Sequence, residues 1–244
     1  MTDISIVGVP GTLANWRAFA PLFGALKRFG AGHQTFVVDT AHSVTASTAT
    51  DSALAQIEER SLGKCVVVGF SLGGIIAAHM ALKEPDRAVG LILLDMNGEA
   101  DKPEAASGRR AAVERARELG LSEFVERQLW KTHVATERLS DFTLLREVQL
   151  MAEESGVSAF ANQMEIAISR PRTIDFLGKL KVPALIFCGS EDVITPPALA
   201  KDIASSITGA KLTLIADAGH FAVLERPDVI AETAAPWITS LASL

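Results

Sequence analysis

The sequence predicts an α/β fold, in which a doubly wound, mostly parallel sheet of about six strands carries an inserted helical lid. Three observations lead to this prediction. Six short runs rich in Val, Ile, Leu and Phe are apolar throughout, as strands covered on both faces are. Segments with helical periodicity alternate with these runs, which favours right-handed crossovers between parallel strands. The alternation stops between residues 96 and 181, where only helical patterns occur.

The predicted core elements lie in two segments of the chain, residues 1–96 and residues 182–244. Strands are predicted at residues 4–9, 34–39, 64–69, 89–95, 183–188 and 211–215. Helices are predicted at residues 16–29, 47–60, 72–83, 197–207 and 227–241. Pro197 and Pro227 suit the first position of the last two helices, where a missing N–H leaves no helical bond unmade.

The intervening block, residues 97–181, is expected to form a helical cap. Four helices are predicted there, at residues 103–119, 122–132, 139–154 and 157–168. Their apolar residues recur at helical spacing, as Leu144, Leu145, Val148 and Met151 show. Because the block is too long for an ordinary connection, it is interpreted as a lid inserted between two strands.

Composition limits the classes of function. The chain has 244 residues, of which 48% are hydrophobic, so a large core can form. Its net charge of −6 argues against nucleic acid as a partner. Cys65 and Cys188 lie in apolar runs and are predicted to be buried free thiols, which favours a reducing, cytoplasmic setting. Met1, Thr2 and Asp3 lead directly into a strand, so no signal peptide is expected. No membrane span is expected either, because no apolar stretch reaches the roughly 20 residues that crossing a bilayer takes.

The motif Gly69-Phe70-Ser71-Leu72-Gly73 carries the strongest chemical signal. It follows an apolar strand and opens a helix. A tight strand-to-helix turn exposes the hydroxyl of Ser71 and directs helix N-terminal amides toward the same point. Gly69 and Gly73 allow the strand and the helix to approach closely. Ser71 is therefore the predicted nucleophile.

A serine nucleophile needs a general base, and His220 is the preferred candidate. His220 follows the last predicted strand, and residues at the carboxyl ends of parallel strands face the ligand-binding crevice. His42 also follows a strand at that edge and is the alternative base. Two other histidines are placed away from this edge, His33 before a strand and His79 within the helix after the motif. His133, in the cap, is interpreted as a surface residue.

Asp192 is the predicted acid that orients the base. It follows the strand that ends at Cys188 and precedes Pro196 and Pro197. Asp95 ends another strand and is the alternative acid, although it is interpreted as a carboxylate that binds loop amides. Glu191 could replace Asp192 only if the loop turned differently.

Two backbone amides are expected to form an oxyanion hole. The amide of Leu72 follows the nucleophile directly, and the second donor should come from the loop after Val9. Thr12 is the preferred residue in that loop, with Leu13 second. Each such donor is worth about 2.7–4 kcal/mol of transition-state stabilisation.

With these residues the chain resembles the α/β-hydrolase superfamily, and within it the small capped esterases, enol-lactonases and similar hydrolases. The likeness covers nearly the whole chain, and the order Ser, Asp, His is the one that the superfamily uses. Further matching motifs are Trp16, Gly189-x-x-Asp192-x-x-x-Pro196, Gly219-His220, Glu225-Arg226-Pro227 and, near the end of the lid, Asn162-Gln163 and Arg170-Pro171. Two features differ: Pro10-Gly11 stands where the family usually has His-Gly, and the family's initial strand hairpin is missing. Six parallel strands are therefore expected.

The resemblance implies an enzyme, a hydrolase that cleaves a small ester, lactone or related acyl compound through an acyl-enzyme. C–C bond hydrolysis, acyl transfer, cofactor-free perhydrolysis and a hydrolase-like small-molecule receptor remain alternatives on the same fold. A small-molecule substrate is the expected partner. No cofactor or metal is expected, since the histidines lack paired ligand spacing and the glycines fit no phosphate-binding fingerprint.

The substrate pocket should combine residues of the core and of the cap. The side chains expected to line it are Leu13, Trp130, Phe142, Met164 and Phe221. Four cap arginines are interpreted as members of solvated helix faces, with pairing to a substrate carboxylate as the alternative: Arg109, Arg110, Arg127 and Arg146.

Overall fold

The computed structural model describes residues 4–242, which form a six-stranded sheet with every strand parallel to its neighbours. The strands are β1 (Ser5–Val9), β2 (Gln34–Val37), β3 (Cys65–Phe70), β4 (Ala88–Leu94), β5 (Ala184–Gly189) and β6 (Lys211–Ile215). This confirms the predicted fold class. Met1, Thr2 and Asp3, on which the expectation of no signal peptide rests, lie outside the described residues.

The strand order is β2-β1-β3-β4-β5-β6, so the direction of winding reverses between β1 and β3. Val9 pairs with Gly69 across that junction, and Phe70 pairs with Leu94 on the other side of β3. Loops that leave the carboxyl ends of adjacent strands at such a reversal diverge to opposite faces and open a crevice. The turn after β3 therefore stands at the point where a parallel sheet most readily binds a ligand.

Helices cover both faces of the sheet. On one face lie α1 (Trp16–Arg28), the short α10 (Ala222–Glu225) and α11 (Pro227–Leu241). On the other face lie α2 (Ala46–Glu59), α3 (Leu72–Lys83) and α9 (Pro197–Ser206). The alternation of side chains along each strand divides the core in two. In β3, Val66 and Val68 pack with α1 and α11, whereas Val67 packs with α2 and α3.

The two edge strands are less covered than their apolar sequences suggested. β2 has two exposed and two half-buried residues, and only one residue of β6 is buried. Each edge strand has only one neighbouring strand in the sheet. The expectation that all six strands are covered on both faces is therefore wrong for the edges.

Between β4 and β5 the described residues form helices and turns and no strand. These are α4 (Ala105–Leu119), α5 (Leu121–Phe124), a π-helical segment (Val125–Trp130), α6 (Lys131–His133), a 3₁₀ turn (Thr136–Arg138), α7 (Phe142–Ser169) and α8 (Ile174–Leu177). Gly156, with φ of 82°, breaks the helical backbone of α7 near the boundary between two predicted helices. The first of those helices begins later than expected, because the Asp141 side chain caps it at the Leu144 amide.

Core and cap share one hydrophobic cluster. The cap side chains Val113, Phe124 and Val148 belong to the same buried group as Phe70 and Phe187 of the sheet. The division into a core domain (1–96 and 182–244) and a cap domain (97–181) stays a prediction.

Two predictions made from the sequence concern the cysteines and the absence of a membrane span. Cys65 and Cys188 are buried and free, which confirms the prediction for both thiols. Within residues 4–242, no helix has the length and apolar character needed to cross a membrane.

Candidate active site

Ser71 sits in a strained turn between β3 and α3. Its φ of 52° and ψ of −119° lie in a region that L-residues rarely adopt. The flanking glycines are sterically required: a Cβ on Gly69 would lie 2.6 Å from the Gly74 Cα, and one on Gly73 would lie 2.0 Å from the Val9 carbonyl oxygen. The turn thus lifts the Ser71 side chain out of the sheet toward the crevice.

Three side chains predicted from the sequence form a continuous hydrogen-bonded row. The Ser71 Oγ lies 2.9 Å from the Nε2 of His220, and the Nδ1 of His220 lies 2.8 Å from the Oδ2 of Asp192. His220 and Asp192 are buried, with 4% and 2% of their surface exposed. Since Asp192 can only accept, Nδ1 carries the proton and Nε2 is free to accept the serine hydroxyl. This arrangement can move a proton from the hydroxyl to the imidazole.

The Asp192 carboxylate is held by its own loop. Its Oδ1 accepts the amides of Ile194 at 2.8 Å and Thr195 at 2.9 Å, and its Oδ2 accepts the Thr195 hydroxyl at 2.5 Å. Burial raises the pKa of Asp192, but the hydrogen bonds from His220 and Thr195 outweigh it, and the pKa lies below its usual value. The carboxylate is therefore ionised at neutral pH. The sequence did not predict a role for Thr195. Its position three residues after Asp192 is the only signal that points to it.

Asp95, the alternative acid, has a different environment. It is fully buried, and its Oδ1 accepts the Gly189 amide at 2.8 Å. Its Oδ2 has no hydrogen-bond partner among the described residues. Burial, and next the charge of Asp192, raise the pKa of Asp95 well above its usual value, which favours the neutral form of this carboxyl. Asp95 thus holds a loop amide, in agreement with the interpretation made from sequence.

Glu191, the other alternative acid, points toward the cap. Its Oε2 accepts the amide of Thr136 at 3.0 Å and the hydroxyl of the same residue at 2.8 Å. These hydrogen bonds keep the pKa of Glu191 below its usual value. The loop turns so that Asp192, and not Glu191, meets the imidazole.

Ligand atoms of Asp95, Cys188 and Asp192 lie within 4.8 Å of one another. The chemistry of this cluster does not favour a cation. Burial raises the pKa of the Cys188 thiol as well as that of Asp95, and so favours the neutral form of two of the three groups. The third, Asp192, already accepts three hydrogen bonds from its own loop.

The two amides predicted for the oxyanion hole lie beside Ser71. Thr12 and Leu72 both line the same cavity as Ser71, and neither amide has an acceptor among the described residues. The loop after β1 packs closely on the turn, because a Cβ on Gly11 would lie 3.0 Å from the Ser71 Cβ. Two unpaired amides near a serine hydroxyl can stabilise a developing oxyanion.

Leu13, the second choice for this loop, has an occupied amide. Its N–H donates to the Oε1 of Gln163 at 2.9 Å, and the Gln163 amide group donates to the Gly11 carbonyl at 3.4 Å. Gln163 is buried in α7 of the cap. Leu13 itself has a positive φ of 54°, so the glutamine holds a strained loop. In the sequence, only the family resemblance points to Gln163, and it does not indicate this contact.

A cavity of about 560 Å³ opens between Ser71 and the cap. Leu13, Met164 and Phe221 line it, as expected. Trp130 and Phe142 do not. Trp130 is buried within the cap, where its Nε1 donates to the Leu139 carbonyl at 3.1 Å, and Phe142 begins α7 with 75% of its surface exposed. The helical pattern showed that these residues are apolar but not which way the helices turn.

His133 lies at the cavity, which corrects its interpretation as a surface residue. Its ring packs edge-on against the His220 ring, with centroids 5.4 Å apart. Its Nδ1 donates to the Leu129 carbonyl at 2.8 Å, which leaves Nε2 as an acceptor. Burial, and next the neighbouring His220, lower the pKa of His133 to about 4. By contrast, the alternative base His42 is exposed and does not line the cavity.

Glu225 ties the His220 loop to the cap. Its buried carboxylate accepts the Gly219 amide at 2.9 Å and the Ala135 amide at 2.8 Å. A Cβ on Gly219 would lie 2.5 Å from the Val134 carbonyl carbon, so the two segments are in close contact. The sequence marked Glu225 only as part of a motif that opens the last helix.

The cap arginines divide into two groups. Arg110, Arg127 and Arg146 form exposed ion pairs with Glu165, Glu123 and Glu153, as expected for solvated helix faces. Arg109, in contrast, lines the cavity.

Known proteins resemble this chain over most of its length. The model of the alpha/beta hydrolase family matches residues 6–233. The pimeloyl-[acyl-carrier protein] methyl ester esterase of Neisseria meningitidis serogroup A is 27% identical over 192 residues, which cover 75% of this chain and 58% of that protein.

Solved structures show the same fold. The enol-lactonase from Burkholderia xenovorans LB400 is similar with a TM-score of 0.85 at 20% identity, over 98% of this chain and 92% of that one. A thermophilic esterase from Thermogutta terrifontis is similar with a TM-score of 0.81 at 22% identity, over 98% and 89% of the two chains.

Proposed function

The chain belongs to the alpha/beta hydrolase family, and we propose that it is a serine hydrolase that cleaves a small ester, lactone or related acyl compound through an acyl-enzyme. One observation carries the proposal. The hydroxyl of Ser71, the imidazole of His220 and the carboxylate of Asp192 form a hydrogen-bonded row that opens on a largely apolar cavity. The names of the similar proteins, two esterases and an enol-lactonase, support an ester or lactone substrate.

In the first step the Ser71 Oγ attacks the carbonyl carbon of the substrate. Its proton moves to the Nε2 of His220 along the 2.9 Å contact. Asp192 remains ionised, holds the Nδ1 proton and stabilises the imidazolium that forms. The amides of Leu72 and Thr12 bind the oxyanion of the tetrahedral intermediate.

Collapse of that intermediate breaks the bond to the leaving group, which takes the proton from His220 Nε2. Water then attacks the acyl-enzyme carbonyl and gives its proton to the same nitrogen. Collapse of this second tetrahedral intermediate breaks the bond to the Ser71 Oγ, which takes the proton back from Nε2, so the acid is released and the starting hydrogen bonds are restored. Each step uses side chains of this chain together with water.

Covalent labelling tests the proposed nucleophile. A fluorophosphonate probe should label the wild type at Ser71, as peptide mass mapping would show, and Ser71→Ala should abolish labelling. Ser155→Ala is a matched control, because the Ser155 hydroxyl donates to the Met151 carbonyl and does not line the cavity. Failure of the wild type to label would contradict the proposal.

A substrate panel separates the proposed reaction from its alternatives. Hydrolysis of p-nitrophenyl esters and lactones of varied acyl length, with an acyl-Ser71 adduct detected by mass spectrometry, is the expected result. A C–C bond hydrolase, an acyltransferase or a perhydrolase would instead show its main turnover with a β-diketone, an added alcohol or peroxide. A receptor would label slowly and show no turnover of any ester.

A further inference from the structure

Two arginines share one carboxylate at the wall of the cavity. Arg109, in α4, binds Asp101 with two hydrogen bonds, from Nε at 2.5 Å and from Nη2 at 2.7 Å. Arg170, which follows α7, reaches the same carboxylate from Nη2 at 3.3 Å. Both arginines line the cavity that contains Ser71. The three side chains therefore carry a net charge of +1.

Among the described residues, no Asp or Glu lines the cavity. The nearest other acidic side chain along the chain, Glu99, has its carboxylate bound by Arg172 on the surface. The remaining lining is mostly apolar and contains His133, whose lowered pKa leaves it neutral.

The geometry leaves donors available to a ligand. Among the described residues, the Nη1 groups of Arg109 and Arg170 have no hydrogen-bond partner, whereas both oxygens of Asp101 are occupied. Arg170 is buried and is fixed by a hydrogen bond from Nε to the Glu99 carbonyl at 2.9 Å. Arg109 has 29% of its side chain exposed and is the more accessible of the two.

A surplus cation at the wall of a largely apolar cavity favours an anionic ligand group, because poor solvation strengthens its attraction for the opposite charge. A guanidinium also matches the two oxygens of a carboxylate better than an ammonium does. We propose that Arg109, supported by Arg170, binds a carboxylate of the substrate, so that the substrate is an ester or lactone that also carries a carboxylate. This inference rests on the proposed hydrolase function.

Matched substrates test the inference. The monomethyl esters of straight-chain dicarboxylic acids, from succinate to suberate, carry the carboxylate. The methyl esters of the corresponding monoamides have nearly the same shape and no charge. For at least one chain length, wild-type kcat/KM should be higher for the half-ester by roughly tenfold or more. The ratio of the two kcat/KM values is the readout, since a general loss of activity cancels in it.

Three variants give distinct expectations for that ratio. Arg109→Met should lower it by roughly 10- to 100-fold. Arg110→Met is the matched control, because the neighbouring Arg110 pairs with Glu165 outside the cavity and should leave the ratio unchanged. Asp101→Asn removes the neutralising charge and should raise the ratio, a direction that a folding defect would not produce.

Binding to Ser71→Ala separates this inference from the proposed function. Calorimetry should show that monomethyl adipate binds this variant more tightly than the monoamide ester does, and that adding Arg109→Met removes the difference. A wild-type ratio near one at every chain length, or a ratio unchanged by Arg109→Met, would overturn the carboxylate site. Absence of fluorophosphonate labelling at Ser71 would instead overturn the hydrolase, whatever the calorimetry shows.

Discussion

Two aspartates follow neighbouring strands at the carboxyl edge of the sheet, and their surroundings give them different charges. Asp192 accepts hydrogen bonds from His220 and from its own loop, which keep it ionised. Asp95 is more deeply buried, has one oxygen without a partner within residues 4–242, and has a raised pKa that favours its neutral form. The same side chain thus orients an imidazole in one case and holds a backbone amide in the other.

This difference predicts the effects of two isosteric substitutions. Asp192→Asn should lower kcat roughly 10³- to 10⁴-fold, because the amide cannot hold the required tautomer of His220 or stabilise its positive charge. Asp95→Asn, which replaces one neutral group with another, should leave kcat/KM nearly unchanged. Steady-state kinetics with one p-nitrophenyl ester measures both. Equal losses in the two variants would mean that Asp95 takes part in orienting the base.

His133 should make the stability of the protein depend on pH. Its pKa falls to about 4 on folding, below the usual value of 6.5 for histidine. The unfolded chain therefore binds more protons between these values, and stability that is present above pH 6.5 is lost as the pH falls toward 4. Lowering the pH from 7 to 5 should therefore reduce the free energy of unfolding by roughly 1–2 kcal/mol through this residue.

Urea unfolding at the two pH values checks this expectation. His133→Gln should lose less stability than the wild type on acidification, by that same amount. His42→Gln, which removes an exposed histidine, is the control and should follow the wild type. If His133→Gln showed the full wild-type loss, another group would be responsible.

At the scale of elements, helix α7 of the cap supports the loop that follows β1. Gln163 accepts the Leu13 amide and donates to the Gly11 carbonyl, and Gly11 in turn packs on Ser71. Thr12 lies between these two anchored residues. The position of its amide therefore depends on a cap helix that is distant in sequence.

Gln163→Leu should accordingly lower kcat roughly 10- to 100-fold with little change in KM, since small displacements of transition-state donors are costly. Gln163→Glu keeps the acceptor for Leu13 and should recover part of the loss. Asn162→Ala is the neighbouring control, because the Asn162 side chain donates to the Ala41 carbonyl and not to this loop. A change in KM alone for Gln163→Leu would argue against a positioning role.

For the whole molecule, the cap and the sheet meet around buried polar contacts as well as apolar packing. Glu225 joins the amide of Gly219, beside His220, to the amide of Ala135 in the cap. The Arg138 side chain adds a hydrogen bond to the Glu225 carbonyl at 3.0 Å. The backbone amides of Gly219 and Ala135 thus donate to the two oxygens of one carboxylate, that of Glu225.

Glu225→Gln should therefore destabilise the protein by about 1–3 kcal/mol, because the new NH₂ group would face a backbone N–H and leave a buried donor unpaired. Activity should fall as well, since the His220 loop loses an anchor. Glu232→Gln, an exposed change in α11, is the control for the loss of one charge. Urea unfolding monitored by tryptophan fluorescence measures the difference. Unchanged stability of Glu225→Gln would show that packing alone holds the cap.

Local sequence patterns predicted much of the fold and the three residues that we propose as nucleophile, base and acid. Apolar runs identified the four inner strands, because a strand buried on both faces has few polar positions. Ser71 could be found because the turn after β3 accepts only glycine at 69 and 73, where any Cβ would meet backbone atoms. Asp192 and His220 followed from one rule, that loops after parallel strands meet at one edge of the sheet.

Only the tertiary structure decided which residues surround the hydrogen-bonded row of Ser71, His220 and Asp192. Four residues reach the site from loops and cap helices: Thr195, Gln163, Glu225 and Arg109. A periodic sequence pattern does not show how those loops and helices are oriented. A helical pattern shows which residues are apolar, but apolar residues occur both in cavity walls and in packed cores. The prediction that Trp130 and Phe142 line the cavity was wrong for this reason. The charge states of Asp95 and His133 likewise depend on burial and on neighbours distant in sequence, which exist only once the chain has folded.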